Sequence, residues 1–157
     1  MAEPTYLPLL NSIAVNEGKG EVLLSAWADA TNDVALEQAL RFVAIREGEH
    51  HWAFAKRICE LGHSVCEETA FLVFKDFDEL LAFVSSDASD AEKIARADNG
   101  DGGEGPDIFP SFFNDTTIDP QTGELLGRYI AEERDSGRRL KAEYDRISAA
   151  DGVPAHP

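Results

Sequence analysis

Residues 47–54 read Glu-Gly-Glu-His-His-Trp-Ala-Phe and place two titratable side chains where the surrounding pattern asks for apolar ones. Steps of four and three residues through this region give Leu36, Leu40, Val43, Glu47, His50, Phe54, Arg57 or Ile58, and Leu61. This spacing is typical of the buried face of an amphipathic helix. A carboxylate taken out of water without a partner costs several kcal/mol, so Glu47 and His50 are expected to bind a metal or another polar partner.

Inward-facing carboxylates recur in three other segments that the helical period predicts to be helices. The segments and their carboxylates are 10–27 with Glu17, 77–94 with Asp87, and 126–147 with Glu133. The small residue Gly20 follows one step after Glu17, and Ser136 follows Glu133 at the spacing that separates the carboxylate and imidazole of the second helix. Each of four predicted helices therefore brings one carboxylate inward.

The positions of these carboxylates along the bundle axis follow from the rise per residue of an α-helix. Residues 31–33, Thr-Asn-Asp, predict a break and an N-cap. Glu17 and Glu47 lie about fifteen residues on either side of the break, so antiparallel packing is expected to set them side by side. Asp87 and Glu133 also fall near the middle of their predicted helices, so all four carboxylates are expected to converge.

The second connection selects the topology of the bundle. Residues 62–75 can span about 46 Å when extended, which is enough to run along a helix of about 43 Å. Helices two and three are therefore expected to run parallel. The predicted fold is all-α, a four-helix bundle with a long crossover between helices two and three.

With these features the chain resembles the ferritin-like di-iron carboxylate proteins of the rubrerythrin type. That family uses a Glu from each of two helices and a Glu-x-x-His from each of the other two. The ligand set implied by the resemblance is Glu17, Glu47, His50, Asp87 and Glu133. Asp87 replaces a glutamate in this set and Ser136 stands where the second histidine belongs, so a first iron keeps a fuller set of ligands than a second.

The resemblance implies a ferritin-like metal-binding protein, a non-haem iron oxidoreductase that reacts with oxygen or peroxide. The cofactor is mono- or di-iron, with manganese or zinc as other metals for the same ligands. No rubredoxin-like cysteine domain is present in the sequence, so a separate protein is expected to donate electrons. The alternative is a degenerate bundle without metal that acts as a dimerising or partner-binding module. A homodimer is the expected assembly.

Neighbouring acidic residues offer rival ligands. Glu132 with Asp135 lies one residue off the predicted stripe and is expected to face water, and Glu21 misses the height of Glu47. Tyr129 and Trp52 are both expected to pack in the core.

Composition is consistent with one bundle domain over residues 1–157. The chain is 43% hydrophobic, enough for a full core, and its net charge of -16 at pH 7 disfavours nucleic acid and anionic membranes as partners. The first residues show no basic region followed by an apolar run, and no stretch approaches eighteen apolar residues. Cys59 and Cys66 are two thiols only, and their spacing is wider than that of a Cys-x-x-Cys motif. A soluble cytoplasmic protein with reduced cysteines is therefore expected.

Residues 99–120 break the helical pattern and form a long predicted loop. Its Gly-rich half lacks the ligand spacing of a calcium loop. Its apolar half, Ile108 to Phe113, is expected to be buried over the open end of the bundle or in a subunit interface. Residues 151–157 are expected to be a frayed tail.

Overall fold

All regular secondary structure is helical in the computed structural model of the chain, which describes residues 3–98 and 114–152. The α-helices are α1 (Leu7–Ala30), α2 (Val34–Glu60), α3 (Phe77–Val84), α4 (Asp90–Arg96) and α5 (Pro120–Ala150). A single 3-10 turn, Glu67–Thr69, lies in the connection between α2 and α3. The all-α prediction is confirmed.

The pair α1 and α2 forms an antiparallel hairpin around the break predicted at residues 31–33. Asp33 caps α2, because its Oδ1 accepts a hydrogen bond from the backbone N–H of Leu36 at 2.9 Å. The two helices pack with Glu17 beside His50 and with Gly20 beside Glu47. The expected pairing of Glu17 with Glu47 is thus offset by about one helical turn.

Helix α5 packs against this hairpin and completes two apolar clusters, one at each end. Asp119 starts α5 by accepting a hydrogen bond from the backbone N–H of Thr122 at 3.1 Å, and Pro120 supplies a favourable first residue. The first cluster includes Leu10, Ile13, Phe54, Ile58, Leu126 and Ile130. The second includes Leu23, Trp27, Leu36, Leu40, Leu80 and Val84. Along α1, α2 and α5, the positions of Glu17, His50 and Glu133 separate the two clusters.

The predicted third helix over residues 77–94 is wrong as a single element. It is divided into α3 and α4, because the hydroxyls of Ser85 and Ser86 bond back to the carbonyls of the last turn of α3 and Ser89 forms a capping box with Glu92 at the start of α4. Asp87 lies in the turn between them and is exposed. Its predicted inward position is therefore wrong.

The connection over residues 61–76 is fastened to the first half of α1 by two asparagines. The side chain of Asn11 accepts from the backbone N–H of Cys66 and donates to the carbonyl of the same residue, both at 2.8 Å. The side chain of Asn16 accepts from the backbone N–H of Val73 at 2.9 Å. The connection therefore follows only part of the bundle.

From the start of α3 to the start of α4 the chain advances along α1 in the direction of α1. Lys19 lies over the ring of Phe77, 4.5 Å from its centroid, and further along α1 the indole of Trp27 donates to Asp90 at 2.9 Å. A full-length crossover that makes α2 and α3 parallel is not confirmed.

Other predictions concern residues outside the described ranges. These are the apolar half of the long loop, from Ile108 to Phe113, and the end of the tail over residues 153–157. Among the described residues, no helix combines the length and the apolar character needed to cross a membrane.

Candidate metal centre

Glu17, His50 and Glu133 come from three helices and meet between the two apolar clusters. The Nδ1 of His50 lies 3.2 Å from Glu17 Oε1 and 3.5 Å from Glu133 Oε1. Each residue offers one ligand atom, and the three atoms lie within 4.8 Å of one another. Glu17 and His50 are 5% and 4% exposed, and Glu133 is half-buried. Three of the five predicted ligands therefore form one compact group.

The distances suit a shared cation. Two ligands about 2.1 Å from a tetrahedral ion lie about 3.4 Å apart, close to the measured separations. Within the described residues, Glu133 Oε1 is buried without a hydrogen bond. Such an orphaned acceptor costs about 1–3 kcal/mol, and a bound cation would remove that cost.

Without metal, protons hold the group together. Burial lowers the pKa of His50, but the carboxylates of Glu133 and Glu17 outweigh it and raise that pKa to about 9. Burial raises the pKa of Glu17 to about 8, although its hydrogen bond with His50 acts in the opposite direction. At neutral pH the imidazole is therefore cationic. A metal must displace protons to bind, so its affinity rises with pH.

Glu47 lies next to this group but is not one of its members. Its side chain is half-buried against Gly20, where an added Cβ would lie 1.7 Å from Glu47 Oε2. Burial raises the pKa of Glu47 well above its ordinary value, and the charges of Glu17, Glu133 and Glu21 add to the effect. Glu47 makes no hydrogen bond to any residue that the structure describes.

Glu132 is a neighbour of the group that the sequence pattern had assigned to solvent. Its Oε2 lies 3.4 Å from His50 Nε2, on the side of the ring opposite the group, and 3.3 Å from Arg46 Nε. Among the described residues His50 Nε2 is buried without a hydrogen bond, and a carboxylate this close can accept one from it and so orient a metal-binding histidine. The apolar spacing of α5 gives no signal for these contacts of Glu132, because Arg46 and His50 belong to a different helix.

Arg46 lies at Ser136, where the resemblance places a second histidine. Its Nη1 donates to Ser136 Oγ at 3.2 Å and to Asp135 Oδ2 at 2.8 Å. Ser136 is only 4% exposed. A fixed guanidinium at this point opposes a second cation, so the donor set fits one metal ion rather than two.

Tyr129 lies between the group and the first apolar cluster. Its ring meets the imidazole of His50 edge to face, with centroids 5.1 Å apart, and meets Phe54 in the same way at 5.2 Å. Burial and the nearby charge of Glu17 raise the pKa of the Tyr129 phenol. The expectation of core packing is confirmed for this residue and is wrong for Trp52, which is 68% exposed on α2.

Asp87, the remaining predicted ligand, is not brought to the group, because it is exposed in the turn between α3 and α4. The group thus depends on α1, α2 and α5 alone. Comparison of the chain with family models, with curated proteins and with solved structures gave no match.

Proposed function

We propose that this chain is a ferritin-like metal-binding protein in which Glu17, His50 and Glu133 hold one divalent cation. The observation that carries the proposal is the position of His50 Nδ1, within 3.5 Å of carboxylate oxygens from two other helices. The Glu47-x-x-His50 spacing and the inward Glu17 support a ferritin-like origin.

Iron is the metal proposed first. One imidazole nitrogen and two carboxylates form a carboxylate-rich set of nitrogen and oxygen ligands, which suits ferrous iron and also accepts manganese or zinc. Three protein ligands leave coordination positions for a small molecule, as catalytic metal sites require.

The proposed activity is a non-haem iron oxidoreductase. Iron held by Glu17, His50 and Glu133 would supply one-electron redox chemistry towards oxygen or peroxide, with a separate protein as the electron donor. The apolar clusters and Tyr129 flank the group, and Glu132 lies close enough to His50 Nε2 to orient the ring. Burial raises the pKa of the Glu47 carboxyl, which lies beside the group, and a carboxyl with a raised pKa in this position is a candidate for proton transfer.

Metal analysis and thermal unfolding test the proposal. Protein from an iron-supplemented culture should contain about one metal per chain, and added Fe²⁺, Mn²⁺ or Zn²⁺ should raise the melting temperature of metal-free protein. A ligand at one hundred times its Kd stabilises a fold by about 2.7 kcal/mol. His50→Ala should abolish the shift, whereas His63→Ala, at an exposed histidine outside the group, should keep it.

If the unmutated protein holds no metal and shows no shift with any of these ions, the metal proposal fails. The second candidate, a dimerising or partner-binding module, then remains. It is favoured by two large apolar side chains on α2, Ile45 and Trp52, which are 64% and 68% exposed and seven residues apart. Sedimentation should then give a homodimer that Ile45→Asp with Trp52→Asp converts to a monomer.

A further inference from the structure

A cavity of about 140 Å³ lies between α1, α3, α4 and α5, on the side of the second apolar cluster. Apolar and aromatic side chains form most of its wall, including Leu23, Leu80, Val84, Leu140, Trp27 and Tyr144. The rings of Trp27 and Tyr144 are stacked, with centroids 5.5 Å apart. An apolar cavity of about 150 Å³ is large enough to admit benzene, so this one has room for a single ring.

Two side chains with charged groups line the same cavity. Lys93 is 3% exposed and its Nζ donates to the carbonyl of Ser86 at 2.8 Å, so its ammonium group has a partner. Glu47 makes no hydrogen bond with the described residues. Its carboxyl group lies at the wall, in the space that Gly20 leaves because it has no side chain.

The apolar wall and the carboxyl group of Glu47 together indicate which kind of ligand fits the cavity. Small-molecule sites are mostly apolar cavities with a few polar groups that orient the ligand. Here the apolar wall selects a hydrocarbon body, and the unpartnered oxygens of Glu47 select a hydrogen-bond donor. We propose that the cavity binds a small molecule with an apolar body of about one ring and one hydroxyl group, which donates to Glu47.

Binding in this cavity does not require the proposed metal. Glu47 belongs to the cavity and not to the group formed by Glu17, His50 and Glu133. The charges of Glu17 and Glu133 raise the pKa of Glu47, which shows that the cavity adjoins the candidate metal centre. Only the further step, that the ligand is the substrate of that metal, rests on the proposed function.

Phenol and benzene are the probes, and the protein is kept metal-free with a chelator. The chain has two tryptophans, so Trp52→Phe leaves Trp27 in the cavity wall as the only indole. Phenol should change the Trp27 fluorescence in a saturable way and raise the melting temperature. It should bind about fivefold more tightly than benzene, since one hydrogen bond contributes about 1 kcal/mol.

The role of Glu47 is tested with Glu47→Met, which keeps the length of the side chain but removes the acceptor oxygens. This variant should bind phenol and benzene equally well. If the protein with Glu47 intact binds phenol and benzene with equal affinity, the proposed hydrogen bond from the ligand hydroxyl to Glu47 is wrong. His50→Ala should lose metal and still bind phenol, which separates this proposal from the proposed function.

The location is tested by filling the cavity. Ala97→Leu adds volume at the wall and should weaken both probes at least tenfold, whereas Ala95→Leu, at an exposed position on α4, should leave binding unchanged. Val84→Leu is a second filling variant in case Ala97→Leu does not fold. No saturable response to either probe, or unchanged binding in a folded filling variant, would overturn the proposal.

Discussion

The carboxylate of Glu47 occupies the space into which a side chain at Gly20 would project. A Cβ at Gly20 would lie 1.7 Å from Glu47 Oε2 and 2.8 Å from its carboxyl carbon. Two further glycines on these helices are matched in the same way by polar side chains of the facing helix, namely Gly48 by Glu21 and Gly18 by His51. The α1 and α2 interface thus admits polar groups because glycines face them.

The first prediction compares two glycine substitutions. Replacing glycine with alanine inside a helix normally stabilises a protein by about 0.5–1 kcal/mol. Gly137→Ala on α5 should show this gain, because no described heavy atom lies within 4 Å of the added Cβ. Gly20→Ala must displace the Glu47 carboxylate and should show no gain or a loss. Urea unfolding measures both free energies of unfolding.

The coupling between the two residues provides the control. In a Glu47→Ala background the obstacle is gone, so adding Gly20→Ala should recover the gain seen at Gly137. If Gly20→Ala stabilises the unmutated protein as much as Gly137→Ala does, Glu47 does not hold the position described here.

The second prediction concerns pH in the metal-free protein. His50 and Glu17 have pKa values raised to about 9 and about 8, so the folded state keeps protons that the unfolded state releases. A group whose pKa is raised on folding stabilises the folded state below its unfolded pKa, which is about 6.5 for His50 and about 4.5 for Glu17. This stability is lost as pH rises through the pKa of the folded state. The free energy of unfolding should therefore fall from pH 5 to 9, by up to about 1.4 kcal/mol per pH unit for each proton.

Urea unfolding in chelator at several pH values measures this slope. Glu17→Gln combined with His50→Gln should flatten it, since both titrating groups are removed, whereas His63→Ala should leave it intact. A slope that is the same in the double variant would show that the protons are held elsewhere.

The third prediction separates ligands from their neighbours. Glu133→Gln should abolish metal binding, because the residue supplies a ligand atom. Glu132→Gln should weaken binding by about 10- to 100-fold without abolishing it, since Glu132 acts through His50. Competition with a chromophoric chelator measures both Kd values, and exposed Asp87→Asn serves as the control. Equal losses in the two glutamate variants would place Glu132 among the ligands.

Much of the fold and of the candidate metal centre was predictable from the apolar periodicity of the sequence. The three long helices and the inward positions of Glu17, His50 and Glu133 follow from apolar spacing, and the cap at Asp33 follows from its residue type. These features depend on local geometry along single helices, which a sequence records directly.

The remaining features depend on contacts that periodicity does not record. Ser85 and Ser89 divide the predicted third helix through side-chain bonds that compete with the backbone. Glu17 faces His50 rather than Glu47 because the glycines set how the two helices pair. Arg46 reaches α5 from α2, and no pattern within either helix marks that ion pair.

The last prediction tests the proposal that Arg46 limits the group to one ion. Arg46 Nη1 lies 3.2 Å from Ser136 Oγ, so a histidine placed there would meet a guanidinium instead of a second metal. Ser136→His alone should leave about one metal per chain, as measured by elemental analysis. Ser136→His with Arg46→Met should raise the stoichiometry towards two, because the guanidinium beside residue 136 is removed and Glu132 and Asp135 keep only their more exposed partners, Arg128 and Arg139. Ser136→His with Arg128→Met, which removes a more exposed arginine from Glu132, should stay at one. Two metals bound by Ser136→His alone would show that the missing imidazole, and not the charge of Arg46, limits the site.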